Sequence, residues 1–493
     1  MTTNPDGEHV DVIVVGGGNA AFSAAHAAAA RGRRVVLLEK AQPDEAGGNS
    51  FYTAGAFRIA HDGLADVADL LDDDERHAVS VLPPYAAASF AEDMAKVTED
   101  RNDKVLTSVV VSESQDTLRW LHGLGLRFRL MYERQAYLDD AGQQVFWGGL
   151  AVGSVGGGKG LVQQHTAAAL AAGVEVRYGC GAEELVVEDG AVRGVTWTSS
   201  DGSSGTLRAD SVVLAAGGFE ANAEMRREHL GPGWELAKVR GTPLNTGDML
   251  RAAMAVGAAP YGDWGSCHSV AWDAMAEHNE SNRALTNQLT RGGYPLGYVV
   301  NRAGERFLDE GADYRNLTYA KYGAEILKQP GGVAWQLFDA TTRPMLRTEE
   351  YDMPGVGVLV ADTVEDLALK MGADVAGLVR TVTELNASID RSVPFDAAVK
   401  DGRAARVQPP KSNWALPLET APFYAFPVTC GVTFTFGGLH ADEHGRVLRE
   451  DGSALPGLFV CGEMLGGLFS GNYAGGSGLT AGAVFGRRAG SLA

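Results

Sequence analysis

Three features of this chain could do chemistry by residue type and spacing. The first is the run GGGNAA, in which Gly16, Gly18 and Ala21 satisfy G-x-G-x-x-A. In that pattern the first glycine turns the chain, the second lets the backbone approach a pyrophosphate, and the small third residue lets helix and sheet pack closely. The second is Glu39, an acid ending the apolar run VVLLE, where it can accept hydrogen bonds from a ribose diol. The third is FSGNYAGGSGLTAG, residues 469–482, in which glycines surround one aromatic, Tyr473. Such a stretch is either a loose end or a loop that brings its backbone against a ligand. The cysteines Cys180, Cys267, Cys430 and Cys461 have neither metal nor redox spacing. Neither an iron–sulfur ligand set nor a disulfide framework is expected, and a reducing cytoplasm fits.

The elements that must hold these residues are legible in outline. Residues 10–15 read as a buried strand, an alanine-rich helix follows to about Arg31, and a second strand ends at Lys40, which makes a βαβ unit. Taken alone, that unit would also suit a nicotinamide enzyme. Residues 174–178 and 192–197 read as strands, and DSVVLAAGGFE is a further strand running into Gly217–Gly218. Residues 235–354 differ in texture, with more Trp, His, Arg and Tyr, and read as an inserted second domain. Residues 362–390 have helical spacing, a proline connector follows at Pro409–Pro410, and GLFVCGEM is a last strand feeding the glycine-rich stretch.

Composition narrows the partners. The chain has 493 residues, 45% hydrophobic and 21% charged, enough for two or more domains. Its formal net charge of −20 makes nucleic acid and anionic lipid poor partners, so an anionic substrate would need a local cluster of arginines. The polar, acidic N-terminus lacks the basic n-region of a signal peptide, so none is expected, and no apolar run is long enough for a membrane span.

Taken in order, GGGNAA, Glu39, GGNS (47–50), AAGGF (215–219), NTGD (245–248) and CGE (461–463) resemble the flavoprotein subunits of the fumarate reductase and succinate dehydrogenase superfamily. That group includes soluble fumarate reductases, aspartate oxidase, 3-ketosteroid dehydrogenases and tricarballylate dehydrogenase. The resemblance spans nearly the whole chain. The longer runs FRIAHD (57–62), RGTPLNTGDML (240–250), CHSVAWDA (267–274), VVNRAGERFLDEG (299–311) and GVTFTFGGL (431–439) are most similar to tricarballylate dehydrogenase. The implied fold is α/β: a Rossmann-like, glutathione-reductase-type FAD-binding domain interrupted by an α+β capping domain. Residues 1–238 and 355–493 would form the first and 239–354 the second, with substrate between them against the isoalloxazine ring.

The resemblance also implies roles. Gly16, Gly18, Asn19, Ala20 and Glu39 belong to the first FAD turn and strand end. Lys40, Gly48, Asn49 and Ser50 lie along the pyrophosphate and ribityl chain, and Ala182 passes the adenine through its backbone. Ala216 and Gly217 form a second phosphate-side loop, Asp248 is a cap-edge acid near the flavin, and Gly462 and Glu463 hold the ribityl hydroxyls. Gly476, Ser477 and Leu479 bring a helix N-terminus to the flavin's pyrimidine edge, where reduction places negative charge. The loop GGNSFYT (47–53) has no histidine of the kind that binds FAD covalently in some members, so non-covalent FAD is expected.

On the substrate side, His268 matches a histidine that binds a substrate carboxylate, and Arg58, Arg240 and Arg291 match the tricarballylate dehydrogenase pattern. A guanidinium's planar fork suits a carboxylate bidentately. The family's proton-transfer position falls on Tyr314 and Arg315; fumarate reductases use an arginine acid there and ketosteroid dehydrogenases a tyrosine base. Tyr473 stands where fumarate reductases keep an arginine and ketosteroid dehydrogenases a carbonyl-binding tyrosine. A histidine that fumarate reductases carry before the glycine pair of TFTFGG is missing.

The expected reaction is dehydrogenation of a saturated C–C bond beside a carboxylate or carbonyl, with hydride passing to flavin N5. An arginine base would need a depressed pKa. A small, anionic substrate, a polycarboxylate such as tricarballylate, is the leading expectation. A 3-ketosteroid-type dehydrogenase, with Tyr261, Trp264, Trp272 and Tyr294 lining its pocket, a fumarate reductase-like enzyme and a non-catalytic flavin-binding protein are the alternatives. With no cluster ligands, electrons must leave to a separate protein or diffusible acceptor. Tricarballylate dehydrogenases resemble the chain in this and use a membrane iron–sulfur partner.

Overall fold

The strand Glu8–Val15 is apolar on both faces, with Val12, Ile13 and Val14 fully buried, as a central parallel strand requires. It pairs in parallel with Val35–Leu38 on one side and Ser204–Leu214 on the other. Ser204–Leu214 in turn pairs in parallel with Ala454–Val460. Register decides what this achieves. Val15 lies opposite both Leu38 and Leu214, and Leu214 lies opposite Val460. Four strands therefore end in one row, and the residues just past them, at 16, 39, 215 and 461, come together. A crevice at the carboxyl ends of parallel strands is where such sheets bind ligands. Glu175–Arg177 and an antiparallel pair, Cys180–Glu188 and Ala191–Ser199, extend the same sheet. These statements rest on a computed structural model that describes residues 8–276 and 282–493.

Two helices cover this sheet and touch each other at backbone distance. Asn19–Ala29 supplies the alanines, and Ser477–Leu492 supplies the glycines. A Cβ on Gly490 would lie 2.0 Å from the carbonyl oxygen of Ala24. The glycine-rich end is therefore a packed element: Ala481, Ala483, Val484 and Phe485 are buried in the core.

A second sheet faces the strand ends. Its longest strand, Phe423–Leu439, pairs with Lys238–Val239, Pro260–Asp273, Val333–Phe338 and Leu359–Ala361. The helices Val364–Met371 and Val375–Ser388 pack on it through Leu367, Leu378 and Leu385. The second unit thus reaches well past residue 354, where the sequence suggests its end. Phe423–Leu439 reads locally like any other apolar strand, and only its long-range pairing assigns it to this sheet. The architecture is the α/β FAD-binding fold with an interrupting cap. Among the described residues no helix is long and apolar enough to cross a membrane.

Candidate active site

A cavity of about 270 Å³ runs between the row of strand ends and the second sheet. One end is built by Gly16–Ala20, Glu39, Lys40, Ala182 and Ala215–Gly217. Gly16 has φ +117°, and a Cβ there would lie 2.2 Å from the Ala215 carbonyl oxygen, so only glycine makes this turn. Glu39 is 7% exposed, and its Oε1 accepts the Ala41 N–H at 2.7 Å. Burial raises its pKa; the Ala41 N–H, Lys40 and Arg283 pull the other way without cancelling the rise. At the rim, Lys40 Nζ lies 2.8 Å from Asp248 Oδ2.

Both covering helices begin at this cavity. Each starts behind a glycine, Gly18 or Gly476, that offers no capping side chain. Asn19 ties the two starts together: its Nδ2 donates to the Leu479 carbonyl at 2.9 Å, and its backbone N–H donates to Ser50 Oγ at 2.9 Å. Two open helix N-termini on one cavity are a ready site for anionic oxygen and electron-rich edges. A tight glycine turn, a buried strand-end acid and two uncapped helix starts fit an elongated dinucleotide. FAD would be held by Gly16–Ala20, Glu39, Ala216, Gly217, Glu463 and the Gly476–Leu479 helix start.

The opposite end is lined by Arg240, His268, Arg315, Tyr319, Phe434 and Tyr473. Arg240 Nε donates to Thr290 Oγ1 at 3.0 Å and Nη1 to Thr433 Oγ1 at 2.9 Å, both neutral acceptors. Among the described residues the Arg315 guanidinium donates no hydrogen bond, and its Nε is buried without a partner. Burial, reinforced by the nearby Arg347 charge, brings the Arg315 pKa down to about 10. His268 sits among aromatic rings, 4.9 Å from Tyr319, 5.3 Å from Phe434 and 5.0 Å from Tyr473 between centroids. Burial first, and the Arg240 charge second, hold its pKa well below the usual histidine value. It is a neutral imidazole whose Nδ1 has no partner. The Tyr473 hydroxyl accepts the Gly478 N–H at 3.2 Å. Arg134, on the turn Tyr132–Gln135, also reaches the wall, held by Glu349 and Glu350.

Every cofactor residue expected from sequence borders the cavity except Ser477, whose hydroxyl turns back to the Ala474 carbonyl. Asp248 borders the cavity beside Lys40, its Oδ2 2.8 Å from Lys40 Nζ. Three residues expected on the substrate side lie outside the cavity. Tyr314 packs between Trp147 and Trp414, at 5.5 and 6.0 Å. Arg58 is fully buried behind the glycine-rich loop, donating to Gly475 O at 2.8 Å and to Asp93 at 3.1 Å. Arg291 is fully buried against Asp273 and the Glu350 carbonyl. For both arginines the reason is the same: a buried guanidinium must be paired, and here the chain itself pairs it. The expected aromatic lining is replaced too. Trp272 and Tyr294 are core residues, Tyr261 stacks on His440 and Trp264 on Phe219, while Tyr319, Phe434 and Phe469 line the cavity. Phe434 lies inside the quoted GVTFTFGGL run; Arg134 has no sequence signal that points to it.

Comparison with known proteins agrees with this geometry. The family model described as "FAD binding domain" matches residues 11–479. A probable fumarate reductase of Shewanella frigidimarina is 30% identical over 497 residues, covering 99% of this chain and 75% of the relative. This chain belongs to the FAD-dependent fumarate reductase and succinate dehydrogenase flavoprotein family. A 3-oxosteroid 1-dehydrogenase of Mycobacterium tuberculosis is 28% identical over 426 residues, 80% of this chain and 71% of that one. The open conformation of a flavocytochrome c3 fumarate reductase superposes with a TM-score of 0.71 at 28% identity, over 98% of this chain and 78% of the other. A 3-ketosteroid Δ1-dehydrogenase from Sterolibacterium denitrificans shares the fold, with a TM-score of 0.75 at 21% identity over 98% and 99% of the two chains. The protein is an FAD-dependent oxidoreductase acting on C–C bonds.

Proposed function

We propose that this flavoenzyme dehydrogenates a small polycarboxylate, tricarballylate being the model substrate, at a C–C bond next to a carboxylate. One observation carries the reading. Arg240 is buried and Arg315 half-buried on one cavity, and among the described residues neither guanidinium is paired with a carboxylate. A buried unpaired cation is costly, and an anionic ligand supplies the missing partner. Arg240 and the neutral His268 would hold and polarise a substrate carboxylate, stabilising the carbanion-like charge that develops beside it. Arg315, with its lowered pKa, would take the activated proton; Tyr314 lies outside the cavity. FAD, held without a covalent bond because residues 47–53 contain no histidine, supplies the two-electron acceptor. Electrons then leave to a separate acceptor, and four free, buried cysteines suit a reducing compartment.

A second reading, a 3-ketosteroid-type dehydrogenase, is favoured by the hydroxyls of Tyr319 and Tyr473 in a wall that also holds Phe434 and Phe469. Anaerobic mixing of the FAD-loaded protein with tricarballylate or with a 3-ketosteroid separates the two. Bleaching of the flavin by tricarballylate supports the first reading. Bleaching by the steroid alone overturns it.

A further inference from the structure

Glu220 follows the AAGGF motif, lies behind the cavity wall, and is fully buried. Its Oε1 accepts two side-chain amides, Asn49 Nδ2 and Asn245 Nδ2, both at 2.6 Å. Asn49 belongs to GGNS and Asn245 to NTGD. Asn49 carries the connection further, donating to Thr433 O at 2.6 Å and accepting the Thr242 N–H at 2.9 Å. On its other side Glu220 neighbours the buried carboxyl of Glu463, from CGE, close enough for each to shift the other's titration. Glu463 lines the cavity, and its Oε1 accepts the Thr435 N–H at 2.8 Å and the Thr435 hydroxyl at 3.2 Å. The remaining oxygen of Glu220, Oε2, is buried with no donor.

Two bare carboxylates cannot lie in contact in such a place. The charged and titratable groups that face the pair do not neutralise it. Arg226 directs its N–H groups to the carbonyls of Glu220, Trp234, Glu235 and Ala237, and beyond it lie the thiols of Cys267 and Cys430. Burial raises both carboxyls, and Glu463 further, because the Glu220 charge lies against it. A proton between the two carboxyls would supply a donor that Glu220 Oε2 lacks among the described residues, while the two asparagine amides hold charge on Oε1.

We propose that Glu220 and Glu463 hold one proton between them, and that Glu220 is the positioning residue that sets the GGNS, NTGD and CGE loops around FAD. One buried side chain then fixes three loops that are far apart in sequence. The proposal concerns the cofactor bed and stands or falls independently of the substrate.

The test uses the FAD-loaded enzyme at neutral pH, with infrared difference spectra of wild type against Glu220→Gln and against Glu463→Gln. Each difference should show loss of one protonated-carboxyl C=O stretch that shifts in D2O, because the new amide N–H takes the place of the shared proton. Absence of that loss in either difference spectrum overturns the shared proton. FAD affinity reports the positioning role. Glu220→Gln keeps an acceptor for the asparagines and retains FAD, whereas Glu220→Ala orphans the Asn245 amide, leaves Asn49 only Thr433 O, and weakens FAD roughly ten- to a hundredfold. Equal affinity in Glu220→Ala and wild type overturns positioning. Should the alanine variant fail to fold, the glutamine variants still decide the shared proton, and Glu220→Met, which fills the space without an acceptor, decides positioning through FAD affinity.

Discussion

Arg315 stands in the cavity with no hydrogen bond from its guanidinium among the described residues, and burial brings its pKa down to about 10. A lowered pKa means that the neutral, proton-accepting form gains as pH rises. On the proposed reading, the rate of flavin reduction by substrate therefore climbs with pH toward about 10 and levels off above it. A stopped-flow series across pH checks this, and a flat profile removes Arg315 from proton transfer. Arg240 has a different task, since its two hydroxyl partners fix its direction without cancelling its charge. Arg240→Met should weaken binding of a carboxylate substrate by roughly 2 kcal/mol or more, about thirtyfold in KM, while a neutral steroid would barely register the change. Equal loss for both ligands would refute a carboxylate role.

At the scale of elements, the short helix Thr348–Tyr351 joins the turn that carries Arg134 to the cap. Glu350 is 1% exposed in its side chain and lies 3.3 Å from Arg134 and 3.2 Å from Arg347. Burial alone would raise its pKa, but Arg347, Arg134, Arg315 and Arg291 outweigh burial and hold it at about 2. A folded-state pKa below the ordinary value contributes stability that is complete above about 4.5 and is lost as pH falls from there toward 2. Glu350→Gln should cost roughly 2–4 kcal/mol at neutral pH and flatten this acid limb, which thermal unfolding against pH would show. The helix pair makes a second element-scale demand. A side chain at Gly490 meets the Ala24 carbonyl at 2.0 Å, so the helices must separate. Gly490→Val should lower stability by about 3 kcal/mol and also loosen FAD, because both helix starts lie on the cavity. Unchanged FAD retention would show that the helix starts do not depend on this contact.

For the whole molecule, one cavity draws on both sheets, so cofactor occupancy and the seating of the cap are thermodynamically linked. FAD at a hundred times its Kd should stabilise the protein by about 2.7 kcal/mol, and Tm should keep rising with the logarithm of FAD concentration. Calorimetry across an FAD series tests this, and a concentration-independent Tm contradicts it. Legibility in the sequence also varies with scale. The βαβ opening, its glycines and Glu39 are readable because their signals are local: strand period, turn chemistry and an acid at a fixed offset. The cap boundary is not, since Phe423–Leu439 declares its partners only by pairing with Pro260–Asp273, some 160 residues away.

The sequence by itself determined a dinucleotide site, because that signal is a backbone requirement written in glycines and strand ends, and the resemblance of the ordered motif set to a flavoprotein family implied FAD. It also narrowed the proton-transfer position to two neighbours. Only the tertiary structure shows that Arg315 lines the cavity and Tyr314 does not, since adjacent residues leave the backbone in different directions. The same holds for the arginines. Arg58, Arg240 and Arg291 look alike in sequence, yet Asp93 and Asp273 neutralise two of them and leave Arg240 its charge. Whether a buried cation is structural or available to a ligand depends on what lies within about 4 Å of it, and that is set by long-range packing.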